Sequence, residues 1–162
     1  MHGYQHTAVN MTCTALGCGA LALFGYPQSA TALAAGLAFG TLLVTPDLDL
    51  HLNDARRNWG PLRFIWVPYA ALSKHRGMSH TFLAGPTIRL LYLALWVAPI
   101  VWLVSRFQPL TLPETSWRFL ALAGIGYFFA QWLHLLCDGI YPDLPRSPSG
   151  NRRPSKARAR RS

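Results

Sequence analysis

The chain has 162 residues, one domain's worth and long enough for a core, and 51% of them are apolar. Fifteen Lys and Arg face only six acids, a formal charge of +9, so every carboxylate is a scarce group whose position carries information. Cys13, Cys18 and Cys137 are odd in number and lie in or beside apolar runs, which argues against a disulfide framework and for buried free thiols. The N-terminus has neither a basic region nor a clear cleavage site and does not read as a secretory signal peptide.

Four apolar runs follow in chain order: Thr12–Tyr26, Ala30–Val44, Phe82–Val104 (interrupted by Arg89 and Pro99) and Trp117–Cys137. None alternates like a half-buried strand and all exceed strand length, which predicts helices. The last two reach the roughly 20 residues that a bilayer crossing needs. The first two are shorter, and either extend into their flanks or close a tight hairpin at Pro27. Gly17, Gly19, Gly36 and Gly40 are small residues of the kind that let membrane helices approach closely.

A soluble all-helical protein is the alternative, and the charge distribution separates the two. If all four runs cross, the 45–81 connection and the C-terminal tail share one side with the N-terminus. That side holds Arg56, Arg57, Arg63, Lys74, Arg76, Arg146, Arg152, Arg153, Lys156, Arg158, Arg160 and Arg161, against Arg106 and Arg118 opposite. Such an asymmetry is the positive-inside pattern. The expected fold is therefore all-α: a membrane-associated bundle of four main helices over residues 1–145, multi-pass in the inner membrane, with both termini cytoplasmic. An interfacial segment at Pro61–Leu72 would be seated by Trp59, Trp66 and Tyr69. Residues 146–162 (RSPSGNRRPSKARARRS) carry no acid and read as a disordered basic tail. The expected partners are membrane lipids, with anionic headgroups on the tail in preference to nucleic acid.

The metal-competent side chains gather at run ends. His6 precedes the first run, Asp47 and Asp49 (TPDLDL) follow the second, His75 and His80 (HRGMSHT) precede the third, and His134 and Asp138 (HLLCDG) close the fourth. Under the four-span topology all of them fall at one cytoplasmic end. Pro46 disfavours helix at Thr45, leaving Asp47 and Asp49 in extended chain with both carboxylates facing one way. His134 and Asp138 stack at helical spacing, and that face runs back through Gln131 and Tyr127. Gly77 permits a turn and Ser79 is a good N-cap, which would put His80 in the first turn of the third helix. His2 reads as a frayed terminus, His51 and Asp54 as solvated loop residues, and Asp143 as a turn residue. Imidazoles mixed with carboxylates suit a divalent transition metal, Zn²⁺ first and Mn²⁺ or Fe²⁺ next, as one ion or two.

TPDLDL, NWGPLRFIWVPY, HRGMSHT and HLLCDG together resemble a family of small uncharacterised prokaryotic metal-binding proteins, over roughly residues 2–140. That family is similar to inner-membrane metal-dependent hydrolases, which also pair a PD-D element with an HRG-[ST]-H element. It is more distantly similar to zinc-dependent phospholipase C and P1 nuclease. In the family an aspartate follows the N-terminal histidine, whereas Thr7 follows His6 here. The resemblance implies metal binding more strongly than any reaction. The expected function is a membrane-associated metal-dependent hydrolase acting on a phosphoester, with metal-bound water as nucleophile and Arg76 or Arg56 holding the phosphate. The alternatives are a non-enzymatic metal-binding or cation-handling membrane protein, and a structural protein whose His and Asp tie helix ends together.

Overall fold

The computed structural model describes residues 3–50, 53–73, 80–108, 111 and 113–141. All regular structure among them is helical, as expected. Four long helices, α1 (Gly3–Leu23), α2 (Pro27–Leu42), α5 (Ala84–Ser105) and α6 (Glu114–Cys137), frame two short ones, α3 (Asp54–Asn58) and α4 (Trp66–Leu72). Tight 3-10 turns occupy Pro46–Asp49 and Gly60–Ile65.

Local chemistry sets the helix ends. α1 stops in a Schellman turn: the amide of Tyr26 donates to Leu21 and that of Gly25 to Ala22, with Gly25 at φ 91°. Pro27 then opens α2 at a position where a missing amide costs nothing. The same turn closes α6, where Ile140 donates to Leu135, Gly139 donates to Leu136, and Gly139 takes φ 72°. Asp138 is thereby held as the C-cap of α6.

The resulting hairpin sends α1 and α2 in opposite directions, while α2 and α6 run parallel with their backbones nearly touching. A Cβ built on Gly36 would lie 1.8 Å from the Ala123 carbonyl oxygen, and one on Gly126 would lie 2.3 Å from that of Leu33. Two side chains tie this contact together. Gln131 donates to the carbonyls of Gly40 and Val44 at 3.2 and 2.8 Å, and accepts from buried Arg89 at 2.8 Å. Asn10 donates to Thr41 Oγ1 and to the Ala130 carbonyl, both at 3.1 Å. The start of α1 and the ends of α2 and α6 therefore lie at one level. The expected stripe through Tyr127 and Gln131 is present, and both residues are fully buried.

The first helix extends into its N-terminal flank, back to Gly3, and its polar leading turns carry His6, Asn10 and Thr14 on the face buried against α2 and α6. Three expectations need correction. The third helix begins at Ala84, so His80 precedes it; the amide of Gly85 is held by Thr81 Oγ1 at 2.7 Å. Trp66 and Tyr69 do not face a membrane interface. They are buried in a core with Val44, Leu48 and Ile65, and Trp59 donates its Nε1 to the Leu43 carbonyl at 2.9 Å. With Asn58, which donates to Leu42 O at 2.8 Å, Trp59 satisfies carbonyls that the end of α2 leaves open. The three cysteines are free, but Cys13 is exposed. The C-terminal tail, the Gly77 turn and the Ser79 cap lie outside the described residues.

Among the described residues, three segments are long and apolar enough to cross a membrane: Pro27–Asp49, Ala84–Ser105 and Glu114–Cys137. α1 is 21 residues long but polar in its first half, and is not among them.

The α2–α6 contact predicts a sharp positional dependence. Gly36→Leu should lower the Tm of the purified protein, at a cost of about 1–3 kcal/mol or more from overpacking. Gly17→Leu should be nearly silent in the same melt, since a Cβ there meets nothing within 4 Å.

Candidate metal centre

Four chain regions deliver the candidate ligands to one place. His6 comes from the buried face of α1. His134 and Asp138 come from the last turn and cap of α6, one helical turn apart. Asp47 and Asp49 come from the turn after α2, and His80 from the chain before α5. Thr45 is extended ahead of Pro46, as expected, but Asp47 and Asp49 are not extended themselves: they lie in the Pro46–Asp49 3-10 turn. Asn53 pins that turn by donating to the Asp47 carbonyl at 2.6 Å and to the Leu50 carbonyl at 2.8 Å.

The distances follow a pattern. His6 Nε2 lies 3.1 Å from Asp138 Oδ1, while His134 Nε2 lies 3.6 Å from Asp138 Oδ2 and 3.5 Å from Asp47 Oδ2. His80 Nε2 lies 3.9 Å from Asp47 Oδ1, and His80 Nδ1 lies 3.8 Å from Asp49 Oδ2. All but the first are too long for hydrogen bonds. Two ligands on one ion at bonds of about 2.1 Å stand roughly 3.0–3.5 Å apart, so the His134 separations are those of donors around a common centre. One nitrogen or oxygen from each of His6, His134 and Asp138 falls within 4.8 Å of the others.

Burial makes the arrangement costly without a cation. His6, His80, His134 and Asp49 are each exposed by 6% or less. The His6 and His134 rings stack at 4.2 Å and 17°, a geometry that disfavours protonating both. Burial, and then the neighbouring His134, push the His6 imidazole below its ordinary pKa, against the pull of Asp138 and Asp47. That favours the neutral form, which binds metals. His6 Nδ1 and His134 Nε2 are buried with no hydrogen-bond partner, and the carboxylates of Asp47 and Asp138 both lie within 3.6 Å of His134 Nε2. The donor set fits a divalent transition ion.

A cavity of about 230 Å³ opens on the cluster, lined by His6, Asn10, Thr41, Thr45, Asp47 and His134 among others. Asn10 is a site residue that the sequence reading missed. Its Oδ1 is buried without a partner although its Nδ2 is bonded twice. The signal was available: His6, Asn10 and Thr14 repeat at helical spacing, as His134 and Asp138 do on α6. Arg56 is buried, with its amide on Asn53 Oδ1 at 2.7 Å and its Nη1 3.5 Å from the Leu50 carbonyl. His75, Arg76, His2, His51 and Asp143 lie outside the described residues.

If these groups share a centre, His134→Ala and Asp47→Ala should each weaken metal binding by about 100-fold or more. The double variant should lose little beyond either single one, because each removes ligands of the same site. Elemental analysis and metal titration of the purified variants read this directly, and full occupancy in both singles would break the grouping.

The comparisons agree with the chemistry. A stretch of 58 residues is 40% identical to an uncharacterized protein of Aquifex aeolicus (strain VF5), covering 36% of this chain and 41% of that protein. The match thus spans less than half the length of that relative. No solved structure matches the chain. Residues 1–147 match the family model described as uncharacterized metal-binding protein (DUF2227), and the chain belongs to that family.

Proposed function

We propose that this is a membrane-embedded metal-binding protein. Its ligands are drawn from His6, Asp47, Asp49, His75, His80, His134 and Asp138, and sit at the cytoplasmic mouth of the long helices. One observation carries the reading: buried imidazoles and buried or half-buried carboxylates from three chain regions stand 3.5–3.9 Å apart, longer than ordinary hydrogen bonds, and His6 from a fourth region joins them at 3.1 Å from Asp138. Asp47 turns Oδ2 to His134 and Oδ1 to His80, so its carboxylate can serve two neighbouring positions. That favours two ions, one among His6, His134 and Asp138 and one between His80 and Asp49. Zn²⁺ suits such mixed nitrogen and oxygen donors, with Mn²⁺ or Fe²⁺ as substitutes.

The membrane reading is supported by the outer face of α5. Leu91, Leu95, Trp96, Ile100, Trp102 and Leu103 are all exposed by 40% or more, a surface that water would not tolerate and acyl chains would cover. α1, packed antiparallel to α2, would run beside it and leave His6 at the membrane edge. The basic tail at 146–162 would lie on the same side, against anionic headgroups.

A second reading, a metal-dependent phosphoester hydrolase, is favoured by the cavity that reaches the cluster. A bound divalent ion would supply Lewis acidity and a lowered pKa for water at an open position. Asn10 Oδ1 and the hydroxyls of Thr41 and Thr45 would orient what enters. Among the described residues the cavity lining offers carboxylates and imidazoles and no Lys or Arg, which supports a cation-holding role.

Purified protein should hold a transition metal at near-stoichiometric or twice-stoichiometric level, and none would favour His and Asp that merely tie helix ends. The metal-loaded protein should be inert on a phosphodiester panel; turnover lost in Asp47→Ala would restore the hydrolase. Reporters fused to the two termini should both read cytoplasmic, and a split result would sink the four-crossing topology.

A further inference from the structure

A second polar groove lies on the far side of Asn53 from the metal cavity, and the metal reading does not use it. It is about 370 Å³ in volume and is lined by Asn53, Arg56, Arg57, Arg63, Phe64 and Val67 together with Pro61. We propose that it binds the anionic phosphate headgroup of a membrane lipid.

Among the described residues three guanidiniums line one groove, and no carboxylate lines it. Arg56 is 7% exposed, a built-in side chain and not a solvated surface group. Arg57 is largely exposed, and its one acidic neighbour, Asp54, stands 3.9 Å away in an exposed pair of little strength. Arg63 is exposed at the next turn. Planar guanidinium forks match phosphate oxygens two at a time.

A free phosphate would need only the arginines, yet Phe64 and Val67 form the apolar part of the lining and are about half exposed, as is adjacent Leu62. Phe64 packs edge-on against Trp96 of α5 at 6.0 Å. The groove is thus continuous with the apolar outer face of α5 that acyl chains would cover. Charge for a headgroup beside an apolar path for its chains is the pattern of a lipid site, and neither feature depends on a bound metal.

The test uses full-length protein stripped of lipid in a neutral detergent. Phosphatidylglycerol and phosphatidylcholine of identical chains are titrated, with inorganic phosphate as competitor. Phosphatidylglycerol should bind preferentially, and the Arg57→Gln/Arg63→Gln variant should bind it about tenfold more weakly or worse while keeping its metal and its Tm. Millimolar phosphate should not displace it. Unchanged phosphatidylglycerol binding in the double variant would assign the headgroup elsewhere, the basic tail included, and overturn the proposal. Equal binding of both lipids, or displacement by phosphate alone, would also overturn it. His80→Ala should keep the lipid preference, and loss there would move the headgroup to the metal centre.

Discussion

The parallel contact between α2 and α6 sets the height of everything at the functional end. Gly36 and Gly126 let the two backbones meet where no side chain would fit, and the packing continues to Gln131, whose amide spans Gly40 and Val44. From Val44 the chain has one extended residue, Thr45, before the Pro46–Asp49 turn. From Gln131, one turn reaches His134 and the next reaches Asp138. With the two helices in register, Asp47 has little choice but to face His134. The cluster is a consequence of helix packing several turns away.

Interior and exterior are exchanged relative to a water-soluble bundle. Asn10, Thr14, Thr41, Arg89 and Gln131 are buried, while Leu16, Leu95, Ile100, Trp102 and Phe129 are exposed. Between helices surrounded by hydrocarbon, burying apolar area gains nothing, and association rests on close backbone packing and hydrogen bonds between helices. The Asn10, Gln131 and Arg89 bonds and the glycine contacts supply both. Among the described residues a conventional apolar core lies under the connection, where Trp66, Tyr69 and Leu48 pack against Val44 and Tyr127. The proposed topology would leave that part outside the hydrocarbon.

Much of this was legible in the sequence, and the reasons for the rest are physical. Long apolar runs without alternation identified the helices, and scarce acids beside histidines at run ends identified the cluster. Apolar length left the start of α1 open, because a helix whose polar face is buried against two others shows no apolar run in its leading turns. Pro46 correctly excluded helix at Thr45, but it also opens tight turns at N1, and the 3-10 geometry of Asp47 and Asp49 followed from that second property. The aromatic residues of NWGPLRFIWVPY looked like interface anchors because Trp and Tyr are amphipathic. Trp59 instead donates to Leu43 O, and Trp66 and Tyr69 pack into the core against Val44 and Leu48, with Trp66 Nε1 and the Tyr69 hydroxyl buried without a hydrogen-bond partner. Such partners are distant in sequence and leave no local signal.

The cluster also has a structural consequence for α5. That helix is mostly exposed beyond its first turns, and its links to the rest include the hydrogen bonds of Arg89 to Gln131, Tyr127 to the Pro86 carbonyl and Tyr92 to Ile65, with Ile88, Leu90, Tyr92 and Leu93 packed on the core. His80, just before it, stands 3.9 Å from Asp47 and 3.8 Å from Asp49. A cation held between these groups would join α5 to the α1–α2–α6 packing through charge where hydrocarbon contributes nothing. Ligand and architecture would then not be separable: the groups proposed to bind the ion would also hold α5 in place, and metal affinity would include the free energy of docking that helix.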